Sequence, residues 1–218
     1  MKFLRQNCLL LLFVIVLLAL FGCKKKNLGN QNLIECEVCE FCDWVLINGV
    51  KWANRNVGSP GAFVTNPEDY GGYYQWNIGT TDFLFHDDYY NSDFPKSTTW
   101  LPVNDPSPVG YRVPTRAEIE SLTNMTYVEY EWTTRNGVSG GKFTDRASGK
   151  CIFLPAAGCR NGSDGMFCLV GSNGDYWGNT QNVRNDVVAC FLGFDSGDAD
   201  WSHWTYESYG FSVRSVVE

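Results

Sequence analysis

Apolar positions along the chain form one long unbroken run at the start and many short runs afterwards. Leu9 to Phe21 is apolar throughout, thirteen residues lying behind the basic residues Lys2 and Arg5. A bilayer-spanning helix needs roughly 20 such residues, so the run matches the core of a secretory signal segment instead. From Trp44 onward the apolar runs are short and are broken by Gly, Asn, Asp and Pro. The stretch "WVLINGVKWANRNVG" predicts a hairpin, because Asn48-Gly49 is the strongest two-residue turn signal between two strand-prone segments. The stretches "KCIFLPAAGCRNG", "GDYWGNTQ", "VVACFLGF" and "GFSVRSVV" read as further short strands. Residues 86–108 are rich in Asp, Asn, Pro and Ser and read as loop.

Helical spacing is clear in one place, "VGYRVPTRAEIESL". Pro114 biases Val113 toward extended geometry and so ends the preceding strand. Thr115 is a good N-cap, and Glu118 stands three positions later, as a capping box requires. Ile119 and Leu122 form the buried stripe, with Met125 next in register. Many short strands and one or two helices make the fold class α+β.

The ends change the picture of location. Leu20-Phe21-Gly22-Cys23 resembles the lipobox of bacterial lipoproteins, which implies cleavage after Gly22 and lipid on Cys23. Each acyl methylene placed in the bilayer contributes roughly 0.8 kcal/mol, so two or three chains on Cys23 would anchor the protein firmly. The expected organisation is therefore a signal segment at 1–22, a lipidated, cysteine-containing tether at 23–43, and a domain at 44–218. The expected location is the bacterial cell envelope, at the outer membrane, with the periplasmic and surface faces both open. Cleavage would leave 196 residues with 15 basic and 24 acidic side chains, a net charge of −9. So acidic a chain has no electrostatic footprint for nucleic acid. The one basic cluster, Lys24 to Lys26, would lie against lipid head groups. No repeat of fixed period is present.

Seven cysteines remain after Cys8 and Cys23: Cys36, Cys39, Cys42, Cys151, Cys159, Cys168 and Cys190. In an exported protein all seven are disulfide candidates, and the odd number leaves at least one free, intermolecular or metal-bound. Cys36, Cys39 and Cys42 offer three thiolates, whereas structural zinc usually takes four ligands and no histidine is near. Disulfides pinning the tether to the domain are the expected reading. Cys159 and Cys168 bracket a Gly-rich hairpin tip, and pairing them would constrain the unfolded chain by roughly 3 kcal/mol.

Six segments resemble, in order, the Fibrobacter succinogenes major paralogous domain: "NGVKWANRNVG", "YGGYYQWN", "VGYRVPTRAEIESL", "FLPAAGCRNGSDG", "GDYWGNT" and "YGFSVRSV". The resemblance covers roughly 45–217. It implies a bacterial extracytoplasmic domain, of a kind that is often a lipoprotein and mostly without assigned activity. Family members often carry a cysteine just before the "GYRVPT" segment, where this chain has Ser107. A more distant similarity is to the formylglycine-generating-enzyme type of C-type-lectin-like fold, carried by Arg112 to Glu118 and by Gly210, Phe211 and Arg214. It implies short twisted antiparallel strands, one or two helices and long irregular loops, a fold that hosts enzymes and binders alike.

Candidate chemistry favours binding over catalysis. The formylglycine-generating enzymes oxidise with a cysteine pair and copper near the C-terminal motif, where this chain has no cysteine. Cys190 sits in an apolar strand, and His86 and His203 read as surface or packed residues rather than bases. Tyr73, Tyr74, Trp76, Tyr89, Tyr90, Trp201 and Trp204 lie beside polar loops and are the candidate ligand contacts. Aromatic rings cover the apolar face of a sugar, but they also fill cores. No cofactor is expected, with one candidate metal: Asp195, Asp198 and Asp200 cluster in one loop and could offer oxygens to calcium. Asn66 to Asp69, "NPED", is superficially similar to the sugar-binding tripeptide of calcium-dependent lectins, although its order differs. The expected function is a non-enzymatic, lipid-anchored binding module for glycan or protein. The alternatives are a structural or fimbria-associated surface component and a degenerate relative of the formylglycine-generating oxidoreductases.

Overall fold

The computed structural model describes residues 43–82, 95–182 and 184–218. Within them the chain is built from short strands and one α-helix, so the α+β class holds, weighted heavily toward β. Fourteen strands form four small sheets, and every pairing between named strands is antiparallel.

β1 (Trp44–Ile47) and β2 (Val50–Ala53) form the expected hairpin. Asn48 and Gly49 take φ of 44° and 83°, the positive values that a two-residue turn of matching twist demands. β3 (Tyr74–Gln75) follows an irregular stretch, and β4 (Tyr111–Arg112) leads into α1 (Arg116–Leu122).

The capping box of α1 is present in full. Glu118 N donates to Thr115 Oγ1 at 3.2 Å, and Thr115 N donates to Glu118 Oε2 at 2.7 Å. The glutamate has a second duty invisible in the local pattern: it receives both guanidinium nitrogens of Arg112, at 2.7 and 2.8 Å. Burial alone would raise the Glu118 pKa. The hydrogen bonds from Arg112 and Thr115 outweigh that, holding it below the usual carboxylate range. Thr115→Ala should therefore lower stability by about 1 kcal/mol. A midpoint in urea shifted by that amount, with unchanged slope, would be the expected reading. Met125 does not extend the buried stripe. The helix stops at Leu122, and Met125 lies beyond it at 42% exposure.

One long hairpin is not announced by the strand pattern. β5 (Val128–Arg135) and β6 (Val138–Asp145) turn at Asn136-Gly137, again with positive φ at both positions. β7 (Cys151–Pro155) completes that sheet, and all five of its residues are buried. β8 (Cys159–Arg160) and β9 (Phe167–Cys168) make a small hairpin whose opposed cysteines are joined by a disulfide, as expected for the Gly-rich tip.

β10 (Gly174–Asn182), β11 (Asn185–Phe194) and β12 (Ala199–Tyr206) form the third sheet. β12 replaces the loop expected at "DSGDADWSHW". "GFSVRSVV" divides into β13 (Gly210–Phe211) and β14 (Val216–Val217). β13 joins β3 to β8, while β14 inserts between β2 and β4.

Two clusters of buried side chains fill the domain. One packs Ile47, Trp52, Ile119, Leu122, Phe143 and Leu154, among others, and the second is centred on Tyr74, Trp76, Trp177 and Phe211. Ser107, at the position where the resembling family often has cysteine, lies with its hydroxyl 2.7 Å from that of Ser215.

Candidate functional site

An open groove of about 700 Å³ lies where the irregular stretch before β3 meets the β8–β9 hairpin. Its aromatic wall is Tyr73 and Phe167, whose ring centroids are 5.1 Å apart with the planes inclined by 60°. Tyr73 is fixed at its far end, donating its hydroxyl to Ala157 O at 2.6 Å. Burial, helped by nearby Tyr70, pushes its pKa up to about 12, so the phenol stays neutral and keeps that bond. Phe167 is 64% exposed although wholly apolar. Its place is set by the register of β9, opposite Arg160, one position from the Cys159–Cys168 bridge. Arg160 itself lines the groove, with its Nε donating to Gly165 O at 3.0 Å.

The polar side comes from the irregular stretch. Asp69 Oδ2 accepts from Asn66 N at 2.8 Å, which fixes the "NPED" turn, while its Oδ1 has only a 3.5 Å contact to Asn66 Nδ2. The exposed hydroxyls of Ser59, Thr65 and Thr81 also line the groove and make no hydrogen bond to described side chains. Gly71 and Gly72 form the floor. A Cβ on Gly71 would come within 2.4 Å of Val57 O, and one on Gly72 within 2.5 Å of Gly58 O. Bare backbone is therefore required there. The result is a preformed corner with an apolar wall, a carboxylate and free hydroxyls.

The structure separates the aromatic candidates. Tyr73 stands in the groove. Tyr74 and Trp76 do not, which corrects their reading as ligand contacts: both are fully buried. Tyr74 donates to Gly58 O at 2.7 Å and Trp76 to Gly178 O at 2.9 Å, the satisfaction that buried polar tips require. Trp201 and Trp204 are partly buried on β12 and face Arg116, whose guanidinium carbon lies 4.4 and 5.4 Å from their rings. They tie β12 to α1 by cation–π contact and stand apart from the groove. Tyr89, Tyr90 and His86 lie outside the described residues.

Two of the three aspartates around the β11–β12 turn, Asp195 and Asp200, are occupied by local hydrogen bonds. Asp195 Oδ1 accepts from Gly197 N at 2.7 Å, and Asp200 accepts from the hydroxyl and amide of Ser202 at 2.6 and 2.9 Å. Those bonds, the Ser202 hydroxyl first, hold the Asp200 carboxyl below its ordinary pKa. No group of three or more His, Cys, Asp or Glu among the described residues is placed to hold a metal ion, and that includes Asp195, Asp198 and Asp200.

Among the cysteines, Cys151 is also disulfide-bonded. Cys190 is not, correcting its candidacy: it is free and buried, and burial pushes its thiol pKa up. Gly178 covers it, since a Cβ there would come within 2.6 Å of its sulfur. Gly22, Cys23, Cys36, Cys39 and Cys42 lie outside the described residues.

A second groove, about 490 Å³, adjoins the "YRVPT" stretch. Its main polar groups are already engaged: Asp105 accepts from Ser107 N and Val113 N, and Arg112 is bound to Glu118. Sequence reasoning touched Asp69 only through the "NPED" similarity and did not single out Arg160 or Phe167 as ligand contacts. The available signal was the apolar run Met166-Phe167 and Leu169-Val170 inside a turn-rich hairpin, all four of which are exposed. Comparison of the chain with family models, with curated proteins and with solved structures returned no match in any of the three.

Proposed function

We propose that this chain is a lipid-anchored domain of the bacterial cell envelope, with a C-type-lectin-like fold, that binds a glycan or a protein without transforming it. Lipid on Cys23 would hold it to the outer membrane, and the polar residues that follow would serve as a tether. The observation that carries the binding reading is the exposed Tyr73–Phe167 corner beside Asp69 and three unengaged hydroxyls. Clefts that combine an apolar wall with a few placed polar groups are the usual form of a ligand site. The glycine floor and the disulfide keep the corner rigid, so little ordering entropy opposes binding.

Cys190 offers little support for the oxidoreductase alternative, because a buried thiol with a raised pKa is the opposite of an activated nucleophile. The structural alternative has one observation in its favour. Met166, Phe167, Leu169 and Val170 are 67%, 64%, 55% and 44% exposed on one short stretch, an apolar surface that a neighbouring subunit could cover.

The test is a paired screen of the full-length protein in detergent micelles, against a glycan array and by affinity capture from envelope extracts. Binding in either arm that depends on Phe167 supports the module. Co-purification with a fimbrial assembly through the same residues favours the structural alternative, and silence in both arms removes the proposal. Labelling with a fatty-acid analogue should mark the wild-type chain and fail on Cys23→Ala.

A further inference from the structure

We infer that the groove takes a neutral sugar ring, laid on Phe167 against the Tyr73 edge, with its hydroxyls on Asp69, and that it does so without calcium. The inference rests on the binding-module reading and names its ligand class.

Four observations point the same way. Phe167 keeps 64% of its surface in water on a hairpin held by a disulfide, so the cost of exposing the ring is built into the fold. Tyr73 meets it at 60°, which makes a corner and not a parallel slot. A corner suits a puckered ring with one apolar face and an equatorial rim of hydroxyls, whereas a flat base would be clamped by parallel rings. Asp69 Oδ1, whose one contact is the 3.5 Å approach of Asn66 Nδ2, remains able to accept from a ligand hydroxyl. Ser59, Thr65 and Thr81 add hydroxyls that can donate or accept, as a ligand of mixed polarity requires.

Charge selects against acidic ligands. At the groove itself Asp69 is offset by Arg160, so the lining suits a ligand of no net charge, while the chain as a whole carries a formal charge of −7 and repels acidic ones. Calcium is dispensable because Asp69 is the only carboxylate among the described lining residues. A calcium ion takes six to eight oxygens, several of them carboxylate, and this donor set does not supply them. The volume, about 700 Å³, lies within the range of about 300–1,000 Å³ typical of small-ligand sites.

The experiment uses the full-length protein in detergent micelles on an array of neutral, uronate-containing and sialylated oligosaccharides, in calcium and in EDTA. Neutral glycans should be retained equally in both buffers. For the neutral oligosaccharide retained most strongly, Phe167→Ala should weaken the affinity about tenfold or more, the equivalent of losing a covered phenyl ring. Asp69→Asn should also weaken it, and the thermal midpoint of Phe167→Ala should match wild type, because the ring is exposed. Retention of acidic glycans alone, retention abolished by EDTA, or affinity indifferent to Phe167 would overturn the inference. Absence of any glycan binding would overturn it as well. If the same protein then captured a protein partner in a Phe167-dependent way, the binding-module reading would stand while the sugar inference fell; capture of nothing would remove both.

Discussion

Arg214→Ala should leave the protein without a cooperative thermal transition. Arg214 is 1% exposed, and each arm of its guanidinium holds a different part of the fold. Nε donates to Asn56 Oδ1 at 2.8 Å, Nη1 to Ala53 O at 3.1 Å, and Nη2 to Phe153 O at 3.0 Å. The end of β2, the loop after it and the buried strand β7 are thereby tied at one point. None of the three acceptors is a carboxylate, so the charge is met by amide and carbonyl oxygens, with the neutral phenol of Tyr176 beside them. Burial brings the guanidinium pKa down to about 10, which still leaves it protonated at neutral pH.

Truncation to alanine removes the donors and leaves three acceptors dry. Each stranded acceptor costs about 1–3 kcal/mol, and the cavity left by the side chain adds to that. The sum, on the order of 5 kcal/mol or more, is comparable to the whole stability of a domain, about 5–15 kcal/mol. Arg214→Lys should be intermediate, since an ammonium cannot span three acceptors set in a fork. Circular dichroism on heating decides the matter. An alanine variant that melts within a few degrees of wild type would mean that water or repacking satisfies the acceptors.

The second large effect runs in the opposite direction. Asp175→Asn should raise the melting temperature at pH 7.5 and leave it almost unchanged at pH 4. Asp175 is 8% exposed on β10, opposite Gly193, and its carboxyl accepts no hydrogen bond from a described residue. Burial raises its pKa from 3.8 to about 6. With the folded value above the unfolded one, its favourable contribution is complete below the unfolded pKa and is lost as pH rises through about 6. At neutral pH the native state therefore carries a buried, unpaired carboxylate, at a cost on the order of 3 kcal/mol.

Glu118, Asp145 and Asp200 have lowered pKa values and so the opposite slope. Their contributions are present above their unfolded pKa and lost on acidification. They are common to both proteins and cancel in the comparison. An asparagine variant less stable than wild type at pH 7.5 would show that the carboxylate has a partner worth keeping.

How far the sequence led depended on whether the signal was local. The Thr115–Glu118 box, the Asn48-Gly49 hairpin and the Cys159–Cys168 tip are each specified within a few residues, and each is present. Asn136-Gly137 carries the same turn chemistry as Asn48-Gly49, yet it was missed. Its flanking strand, "VEYEWTTR", alternates aromatic and charged residues without a clear apolar run, and β6 begins with Val-Ser-Gly-Gly. β12 was missed for a related reason: "ADWSHWTY" interleaves Asp, Ser and His with its tryptophans, the Ser and His being exposed, so it reads as loop.

The aromatic contacts show a different limit. Tyr73 and Tyr74 are adjacent and chemically identical, and only the direction of the backbone sends one to the groove and the other to the core. That direction is a tertiary property. Asp69 and Phe167 come from stretches far apart in the chain, so no spacing rule could have joined them. The bond between Arg112 and Glu118 was within reach in sequence but was hidden by the capping role that already accounted for the glutamate.

The insertion of β14 between β2 and β4 also fixes when the domain can form. Val216 pairs with Trp52 on one side and Arg112 on the other, so the first sheet is finished only by a strand far along the chain from β1 and β2. Such non-local pairings delay folding, because a very large loop must close before any contact rewards it. A polypeptide delivered N-terminus first would keep Trp52 and Ile47 unsheltered until its final strand arrived. Completion of the first sheet is thus a late step of folding, and its apolar face stays open until β14 is in place.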